Sequence, residues 1–252
     1  MRVALQLYTI RDKIKEDYLN SLKNVAEIGY KYIEFAGHPF LTVELDELKK
    51  FLNDIGITPV SAHVSFEMMD TNPDKILTYA SRLGLKYVVS EPNVRKMKNF
   101  DDCVKAAVKM NKMGKKAYEY GIRFGMHNHA IEFDMKFREK TVYDILIENT
   151  DPEFVFFQPD VYWIKYAGYD PVEVLSRLKD RCYLVHLKDM KDLETKDMIE
   201  LGQGILDFKA IVNVGEKVGV DYYIVENDRP SMDSLESVRV ALNYLKENFE
   251  VE

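Results

Sequence analysis

Eight alternating strand and helix units predict an α/β fold, a closed (β/α)8 barrel that forms one domain over residues 1–252. Short, mainly apolar runs alternate with amphipathic stretches, and no linker or low-complexity segment interrupts the series. Eight such units in about 250 residues is the size of a closed barrel. A doubly wound open sheet is the alternative, but no GxGxxG sequence follows the first apolar run and no P-loop sequence is present.

The predicted strands are short apolar runs, one at the start of each unit. Continuous apolar runs are typical of parallel strands that helices cover. The runs lie at residues 3–7, 31–35, 59–62, 87–90, 123–126, 154–157, 183–185 and 222–225.

The stretches between these runs have the pattern of helices with one hidden face. Their apolar residues recur at three- and four-residue spacing, as at Val104, Ala107 and Val108. Several end at a glycine that leads into the next strand, because glycine supplies the left-handed conformation that closes a helix. These glycines are Gly29, Gly56, Gly84, Gly121 and Gly219. The predicted helices span residues 18–28, 44–55, 73–83, 101–120, 141–148, 171–178, 207–218 and 235–249.

Charge and composition argue against several classes of protein. The formal net charge is −7, whereas nucleic-acid binders usually present a basic face, so no nucleic-acid partner is expected. No stretch approaches the roughly 20 apolar residues of a membrane span, and the N-terminus becomes charged too early for a signal peptide. We therefore expect a cytoplasmic protein without membrane association. Cys103 and Cys182 lack CxxC spacing and are predicted to be reduced core thiols.

Four polar residues stand at or just past the carboxyl ends of predicted strands five to eight. In a closed barrel, these strand ends form the working face. Imidazole and carboxylate ligands delivered from successive strands are what a divalent metal site needs. The sequence therefore predicts a metal centre made of His127, Asp160, His186 and Glu226.

Other polar and aromatic residues gather at the same predicted face and are candidates for contact with a substrate. Structural roles stay open for several of them. His38 and His63 can equally serve structural hydrogen bonds, Glu34 can satisfy partners inside the barrel, and Trp163 can be a packing lid. The candidates are Tyr8, Glu34, His38, His63, His129 and Trp163.

Segments along nearly the whole chain resemble the xylose-isomerase-like barrels of the sugar isomerase/epimerase superfamily. Its members include ketose 3-epimerases, hydroxypyruvate isomerase, inosose dehydratase and endonuclease IV. The most specific pieces are VHLKD at 185–189 and IVEND at 224–228. The remaining pieces are LQLYTIRD, AEIGYKYIEFAG, VSAHVSFE, GMHNHAIEF, DVYWIKYAGYDP, LGQGILDF and YYIVENDRP.

The resemblance implies a TIM barrel whose metal is held by Glu, Asp, His and Glu from strands five to eight. Asp160, His186 and Glu226 match that pattern by residue type, whereas His127 stands where the pattern has Glu, in the variant sequence HNHxxEF. That change removes one of the two opposed glutamates of the implied epimerisation mechanism. His129 is an alternative first ligand, since residues two apart on a strand face the same side, and Glu132 is another.

Such a centre predicts proton transfer next to a carbonyl group. An ion bound by two imidazoles and two carboxylates leaves positions for a substrate carbonyl and hydroxyl, and it stabilises the enediolate formed when the α-proton leaves. We predict Glu226 as the base, with Glu132 or His127 as the partner that returns the proton. Lys188 is predicted to neutralise oxyanion charge or orient a substrate carboxylate, with a local ion pair to Asp189 as the alternative. Two imidazoles favour Mn²⁺, Co²⁺, Fe²⁺ or Zn²⁺ over Mg²⁺.

The functional hypothesis is a metal-dependent isomerase or epimerase that acts on a small ketose or keto-polyol through an enediolate. The first alternative shares the proton abstraction but then expels a β-hydroxyl, which makes the protein a dehydratase of the inosose dehydratase kind. An AP endonuclease-like protein is disfavoured by the acidic charge, and a non-catalytic sugar-binding barrel by the intact ligands. The resemblance is compatible with a homo-oligomer, and the expected partner is a small carbohydrate.

Overall fold

The computed structural model describes residues 1–37, 41 and 43–252, so the candidate residue His38 lies outside the described residues. Its central sheet contains eight strands, which we number β1 to β8 along the chain. Every pairing between neighbours in this sheet is parallel. The strands are Val3–Gln6, Tyr32–Ala36, Thr58–His63, Tyr87–Val89, Arg123–His127, Val155–Gln158, Leu184–Leu187 and Tyr222–Val225.

The sheet curls into a barrel in which consecutive strands are neighbours and β8 pairs with both β1 and β7. Closure between β6 and β7 consists of the bridge between Asp160 and His186, where the His186 N–H donates to the Pro159 carbonyl oxygen at 2.8 Å, and of the Phe157 N–H donating to the Arg181 carbonyl oxygen at 2.8 Å. The predicted (β/α)8 fold class is confirmed. Two candidate metal ligands face each other across its closing seam.

The barrel is surrounded by helices, and all eight predicted helices are present with ends shifted by a few residues. Four further short helices, α1, α4, α7 and α9, follow strands at the carboxyl end of the barrel and were not predicted, because four to six residues hold too few turns to show a period. In the described part of the chain, α1 to α12 are Arg11–Glu16, Tyr18–Ile28, Leu45–Asp54, Phe66–Thr71, Pro73–Leu83, Phe100–Glu119, Ile131–Asp134, Val142–Asn149, Val161–Tyr166, Pro171–Ser176, Phe208–Val218 and Ser234–Asn248.

Local signals account for several helix ends. The side chain of Asp17 accepts the Asn20 N–H at the start of α2, which satisfies one of the unpaired donors of its first turn. Gly219 closes α11 with a φ of 91°, and nothing lies within 4 Å of a Cβ added there. The glycine is therefore needed for its backbone conformation alone.

The barrel interior changes from apolar to polar along the strands. Alternate residues of a strand face the same side, so Ala4 is followed inside by Gln6 and Leu184 by His186. Gly125 admits the ring of Phe156, because an added Cβ would lie 2.4 Å from that ring. Because the inward-facing residues change from apolar to polar along each of these strands, polar groups are concentrated at the carboxyl end of the barrel. The apolar interior cluster comprises Ala4, Val60, Tyr87, Val89, Phe156, Leu184, Tyr222 and Ile224.

The helices cover the outer side of the sheet and form the main core with it. Among residues 1–37, 41 and 43–252, none of the helices has both the length and the apolar character that crossing a membrane requires.

Candidate functional site

A cleft of about 1050 Å³ opens at the carboxyl end of the barrel. This is the upper end of the size range of small-molecule sites. The cleft brings together residues that lie far apart in the sequence. Predicted site residues among its lining are Tyr8, His63, His127, His129, Trp163, Lys188 and Glu226.

Asp160, His186 and Glu226 form a compact group at the cleft floor. One ligand atom from each lies within 4.8 Å of the other two, and all three residues are buried. His186 Nδ1 is 2.7 Å from Glu226 Oε2. Asp160 caps helix α9, since its Oδ1 accepts the Tyr162 and Trp163 N–H groups. That cap leaves Asp160 Oδ2 free to face the group.

His127 lies beside this group but does not join its compact set. Its Nε2 is 3.7 Å from Asp160 Oδ2, and its ring centroid is 4.5 Å from that of His186. Burial, followed by the neighbouring His186, holds the pKa of His127 well below its usual value. His127 is therefore a neutral imidazole, the form that binds metals.

The Lys188 ammonium sits among three carboxylates. Its Nζ lies 2.8 Å from Glu226 Oε2, 3.1 Å from Asp160 Oδ2 and 2.9 Å from Asp228 Oδ1, although the side chain is only 2% exposed. Burial alone would lower the pKa of Lys188, but these carboxylates raise it well above its usual value. Asp189 is not its partner.

Asp189 instead organises the loop that carries the sequence LGQG. Its carboxylate accepts the N–H groups of Met190, Gly202, Gly204 and Leu206 at 2.8 to 3.2 Å. A Cβ at Gly204 would come within 2.2 Å of the Met190 carbonyl oxygen, which explains the glycine there. The alternative of a Lys188–Asp189 ion pair is therefore wrong.

Glu34 is sealed beneath the cleft and does not line it, which agrees with its alternative role of satisfying partners inside the barrel. It is 0% exposed, and its Oε1 is 2.6 Å from His186 Nε2. The same carboxylate accepts hydrogen bonds from Gln6, Ser61 and Gln158. Glu34 thus holds the His186 ring so that Nδ1 points towards the candidate metal group.

The pKa values of this buried pair move in opposite directions. Burial alone would raise the pKa of Glu34, but the His63 and His186 imidazoles hold it well below its usual value. Burial alone would lower the pKa of His186, but Glu34 and then Glu226 raise it to about 10. Burial also opposes ionisation of Glu226, yet Lys188 and His186 lower its pKa. Without a metal, the floor of the cleft is a network of paired charges.

Glu132 is buried, with 2% of its surface exposed, and lines a second cavity of about 720 Å³ instead of the main cleft. Its Oε2 accepts the His129 N–H at 2.7 Å. Burial raises the pKa of Glu132 to about 8, so this carboxyl carries a proton at neutral pH. The two cavities share four lining residues, Glu91, His129, Trp163 and Tyr166. Glu132 and Glu226, the predicted acid-base partners, thus line different cavities.

The remaining predicted contact residues line the cleft. His63 Nε2 is 2.7 Å from Gln158 Oε1 and 3.2 Å from Glu34 Oε1. The indole of Trp163 lies 5.6 Å from the His129 ring. Tyr8 is 44% exposed at the rim, under the Arg11 guanidinium at 4.2 Å.

Sequence reasoning missed Gln6, Gln158 and Asp228 as parts of this site. A compositional signal was available for the first two, because glutamine occurs only at positions 6, 158 and 203 and two of these bind Glu34. Asp228 lies two residues after Glu226 in the segment IVEND, and its contact with Lys188 depends on the folded chain.

The donor set fits a divalent ion. His127 Nδ1 is shielded from water and has no hydrogen-bond partner among the described residues, while Asp160 Oδ2 is shielded likewise and has the Lys188 ammonium 3.1 Å away. Buried unsatisfied polar atoms are rare in native proteins, and a bound ion is one of their ordinary causes. One imidazole and two carboxylates, with a second imidazole beside them, are ligands that Zn²⁺ and Mn²⁺ accept. Such an ion would share Asp160 and Glu226 with the Lys188 ammonium.

Comparison with known proteins gives one family and several relatives. A family model described as xylose isomerase-like TIM barrel matches residues 22–248. Inosose dehydratase from Mesomycoplasma hyopneumoniae strain J is 29% identical over 201 residues, which is 71% of this chain and 66% of the relative. Inosose dehydratase from Lacticaseibacillus casei matches over 54% of its length. The chain thus spans between about half and two thirds of the length of these two curated relatives.

Two solved structures extend the comparison to nearly the whole chain. A sugar phosphate isomerase/epimerase from Parabacteroides distasonis superposes with a TM-score of 0.84 at 26% identity, over 97% of this chain and 93% of that one. The IolI protein, crystallised with a zinc atom, superposes with a TM-score of 0.76 at 20% identity, over 98% of this chain and 97% of that one. At that identity, the second likeness is one of fold.

Proposed function

The chain belongs to the xylose isomerase-like TIM barrel family, and from that premise we propose that it moves a proton next to the carbonyl of a small ketose or keto-polyol. The product is an isomer or an epimer of the substrate. The observation that carries the proposal is the convergence of Asp160, His186 and Glu226 beside a buried ammonium at the floor of the cleft. The relatives support it, because they are enzymes of isomerase, epimerase and dehydratase types.

Asp160, His186 and Glu226 would hold the ion, and His127 beside them would either be a fourth ligand or, with its lone pair free, exchange a proton with the substrate. When bound, the ion polarises a substrate carbonyl and stabilises the enediolate. The imidazole ligands favour Mn²⁺, Co²⁺, Fe²⁺ or Zn²⁺, and the zinc atom in the IolI protein agrees with that class.

Glu226 is the proposed base. It lines the cleft with 8% of its surface exposed, so a substrate proton can reach it. Lys188 lies 2.8 Å from its Oε2 and stabilises the carboxylate form that accepts a proton. The same ammonium lines the cleft and can neutralise negative charge on a substrate oxygen.

His127 is the proposed partner that returns the proton. Its low pKa keeps it neutral, and a neutral imidazole can both accept and donate. Trp163 offers an aromatic surface beside it for the C–H face of a sugar.

Dehydration is the second candidate function, because the acid-base groups are chemically unlike. A carboxylate and an imidazole suit removal of an α-proton followed by protonation of a departing hydroxyl, whereas two matched carboxylates suit epimerisation. The curated relatives at 29% and 26% identity are inosose dehydratases, which supports the same reading.

One experiment separates the candidates. The Mn²⁺-loaded protein is incubated in D₂O with a panel of ketoses and inososes, and deuterium entry is followed by mass spectrometry together with ultraviolet absorbance. Deuterium in a rearranged sugar supports isomerisation or epimerisation, and deuterium with loss of water supports dehydration. No exchange with any substrate by a metal-loaded protein contradicts both.

The role of Glu226 is tested in the same assay. Glu226→Gln keeps the size of the side chain and removes the base, so exchange should fall by at least about 100-fold, the lower range for a general base. Glu247→Gln, an exposed change on α12, is the matched control and should leave exchange unaltered. Exchange that survives in Glu226→Gln would move the base to His127.

A further inference from the structure

Four cationic side chains line the cleft above its floor, on one arc of the barrel mouth. Arg11 follows β1, Lys191 and Lys196 follow β7, and Arg229 follows β8. Because β8 pairs with both β1 and β7, the loops that carry these residues are neighbours. We call the four residues the rim cations. They stand out in a chain whose formal net charge is −7, and the proposed function gives them no task.

The charges of the rim cations are not compensated by carboxylates. In the described part of the chain, none of the four forms an ion pair, whereas Lys188 on the cleft floor forms three. Arg11 donates to two backbone carbonyl oxygens, both at 2.8 Å, and Lys196 donates to one at 2.9 Å. These carbonyl groups hold the side chains in place without neutralising them.

The acidic side chains that line the cleft are mostly engaged or distant from this arc. Glu226 and Asp228 contact the Lys188 ammonium. Glu91 follows β4, which stands across the barrel from β8. Asp197, in the loop after β7, is the one acidic lining residue of this arc. Four cations therefore face one carboxylate, and the arc carries an excess of positive charge.

The loops that carry three of the rim cations are tied to one another and internally braced. Glu200, in the loop after β7, is 1% exposed, and its carboxylate accepts the Ser231 N–H at 3.0 Å and the Ser231 hydroxyl at 2.7 Å. The Lys191 N–H donates to the Asp197 carbonyl oxygen at 2.9 Å, and the Arg229 N–H donates to Asn227 Oδ1 at 2.9 Å. A braced support reduces the cost of ordering these loops when a ligand binds.

We propose that the rim cations bind an anionic group of the substrate, a phosphate or a carboxylate, at the end remote from the reacting carbonyl. The inference rests on the proposed function, which places that carbonyl at the cleft floor, and it names the substrate as an anionic keto sugar. Guanidinium groups bind phosphate and carboxylate oxygens in pairs, and ammonium groups add point charges. In TIM barrels, the loops after strands seven and eight frequently form a phosphate site. The cleft, at about 1050 Å³, has room for a sugar together with its anionic group.

Three ligands that differ at one carbon test the proposal. D-fructose, D-fructose 6-phosphate and D-fructuronate carry a hydroxyl, a phosphate and a carboxylate on the same terminal carbon. Their dissociation constants are measured by equilibrium dialysis against the Mn²⁺-loaded full chain. We expect at least one anionic ligand to bind about tenfold or more tightly than D-fructose, because a hydrogen bond to a charged group contributes about that much affinity. Added salt should reduce this preference.

Substitutions assign the preference to the rim. Arg229→Gln and Lys191→Gln each remove one cation from an exposed position. The ratio of the dissociation constant of D-fructose to that of the preferred anionic ligand should fall about tenfold in Arg229→Gln, and further in the double variant. Lys217→Gln is the matched control, because it removes the same charge from an exposed position in the last turn of α11, which leads into the start of β8. That ratio should stay unaltered in the control, and circular dichroism melts confirm that each variant is folded.

The outcomes separate this proposal from the proposed function. A preference for either anionic ligand that falls in the double variant supports the anion subsite and says whether phosphate or carboxylate fits it better. Equal dissociation constants for the three ligands, or no binding of any of them, overturn the subsite. A preference that survives in the double variant also overturns it, because the anion then binds the metal or another surface. Deuterium exchange judges the proposed function independently: anion preference without exchange on any substrate keeps the subsite and contradicts the function, and exchange without anion preference does the reverse.

Discussion

Replacement of Glu34 by Gln should strongly destabilise the protein, because Glu34 is the hub of the buried polar network. Its carboxylate lies 2.6 Å from both His186 Nε2 and Ser61 Oγ, and 2.8 Å from the amide nitrogens of Gln6 and Gln158. A carboxylate can accept all four hydrogen bonds. A glutamine in the same place turns one acceptor oxygen into an NH₂ group that faces donors.

The magnitude follows from the charge that is left unpaired. The pKa of His186 is raised to about 10 with Glu34 as the main favourable cause, so the pair is ionised at neutral pH. Removal of one partner from a buried ion pair costs about 3–5 kcal/mol. The NH₂ group of the introduced glutamine faces donors and finds no acceptor, which adds to the loss. The contact between His186 and Glu226 on the other side of the ring remains and offsets part of it. We therefore expect a loss of about 3–5 kcal/mol in the free energy of unfolding.

Urea unfolding of the metal-free protein at pH 7 measures this loss. With a slope of about 3 kcal/mol per molar urea, the midpoint should fall by about 1–1.7 M. Ser61→Ala removes one donor and should cost about 1.5–3 kcal/mol, while Glu247→Gln should stay within about 0.5 kcal/mol. A loss below about 1 kcal/mol for Glu34→Gln would refute the reasoning, since it would mean that the carboxyl is protonated in the folded protein.

Three further predictions concern pH, backbone space and thiols. The pKa of Glu132 is raised to about 8 in the folded protein, so the free energy of unfolding should fall as pH rises from about 4.5 to 8, by on the order of 1.4 kcal/mol per pKa unit at most. Glu132→Gln should remove this pH dependence in urea titrations with chelator. An unchanged pH dependence in that variant would contradict the assignment to Glu132. Gly204→Ala should lower the free energy of unfolding by about 2–3 kcal/mol, because the added Cβ would lie 2.2 Å from a backbone oxygen. Gly219→Ala should lower it by about 1 kcal/mol, because only the positive φ opposes the change there. Equal urea midpoints for the two variants would refute the steric argument. Cys103 and Cys182 are 0% exposed, and burial raises the pKa of Cys103 to about 11, so a thiol reagent should label them only after unfolding; fast labelling of the native protein would contradict their burial.

Most of the fold could be predicted from local patterns. The apolar runs, the helical spacing and the closing glycines act over a few residues, and hydrophobic burial then assigns each strand and helix to its layer. Local patterns did not reveal short helices such as α1 and α9, because six residues hold too few turns to show a period, nor the two-residue antiparallel pairs such as Lys136–Phe137 with Lys140–Thr141. The helix α9 begins at a recognisable cap, Asp160, but the strand-end pattern indicates that residue only as a metal ligand.

The candidate site could be predicted in part. The strand-end rule located Asp160, His186 and Glu226, and the structure brings their ligand atoms within 4.8 Å. The strand-end rule could not say which buried polar groups form pairs. Glu34 and His186 are 152 residues apart in the sequence and 2.6 Å apart in the barrel.

The sequence by itself determined the eight strand-helix units, the end of the barrel where polar residues collect, and the types of ligand found there. These follow from periodicity and from the direction of parallel strands, which are properties of short segments. Only the tertiary structure decided that Glu34 contacts His186, that Lys188 joins three carboxylates and that Glu132 lines a second cavity. Which buried charged groups pair depends on distances of a few ångströms across the barrel, and these distances exist only in the folded chain. Because the dielectric constant inside the barrel is low, a buried charge without its partner costs several kcal/mol in the free energy of folding.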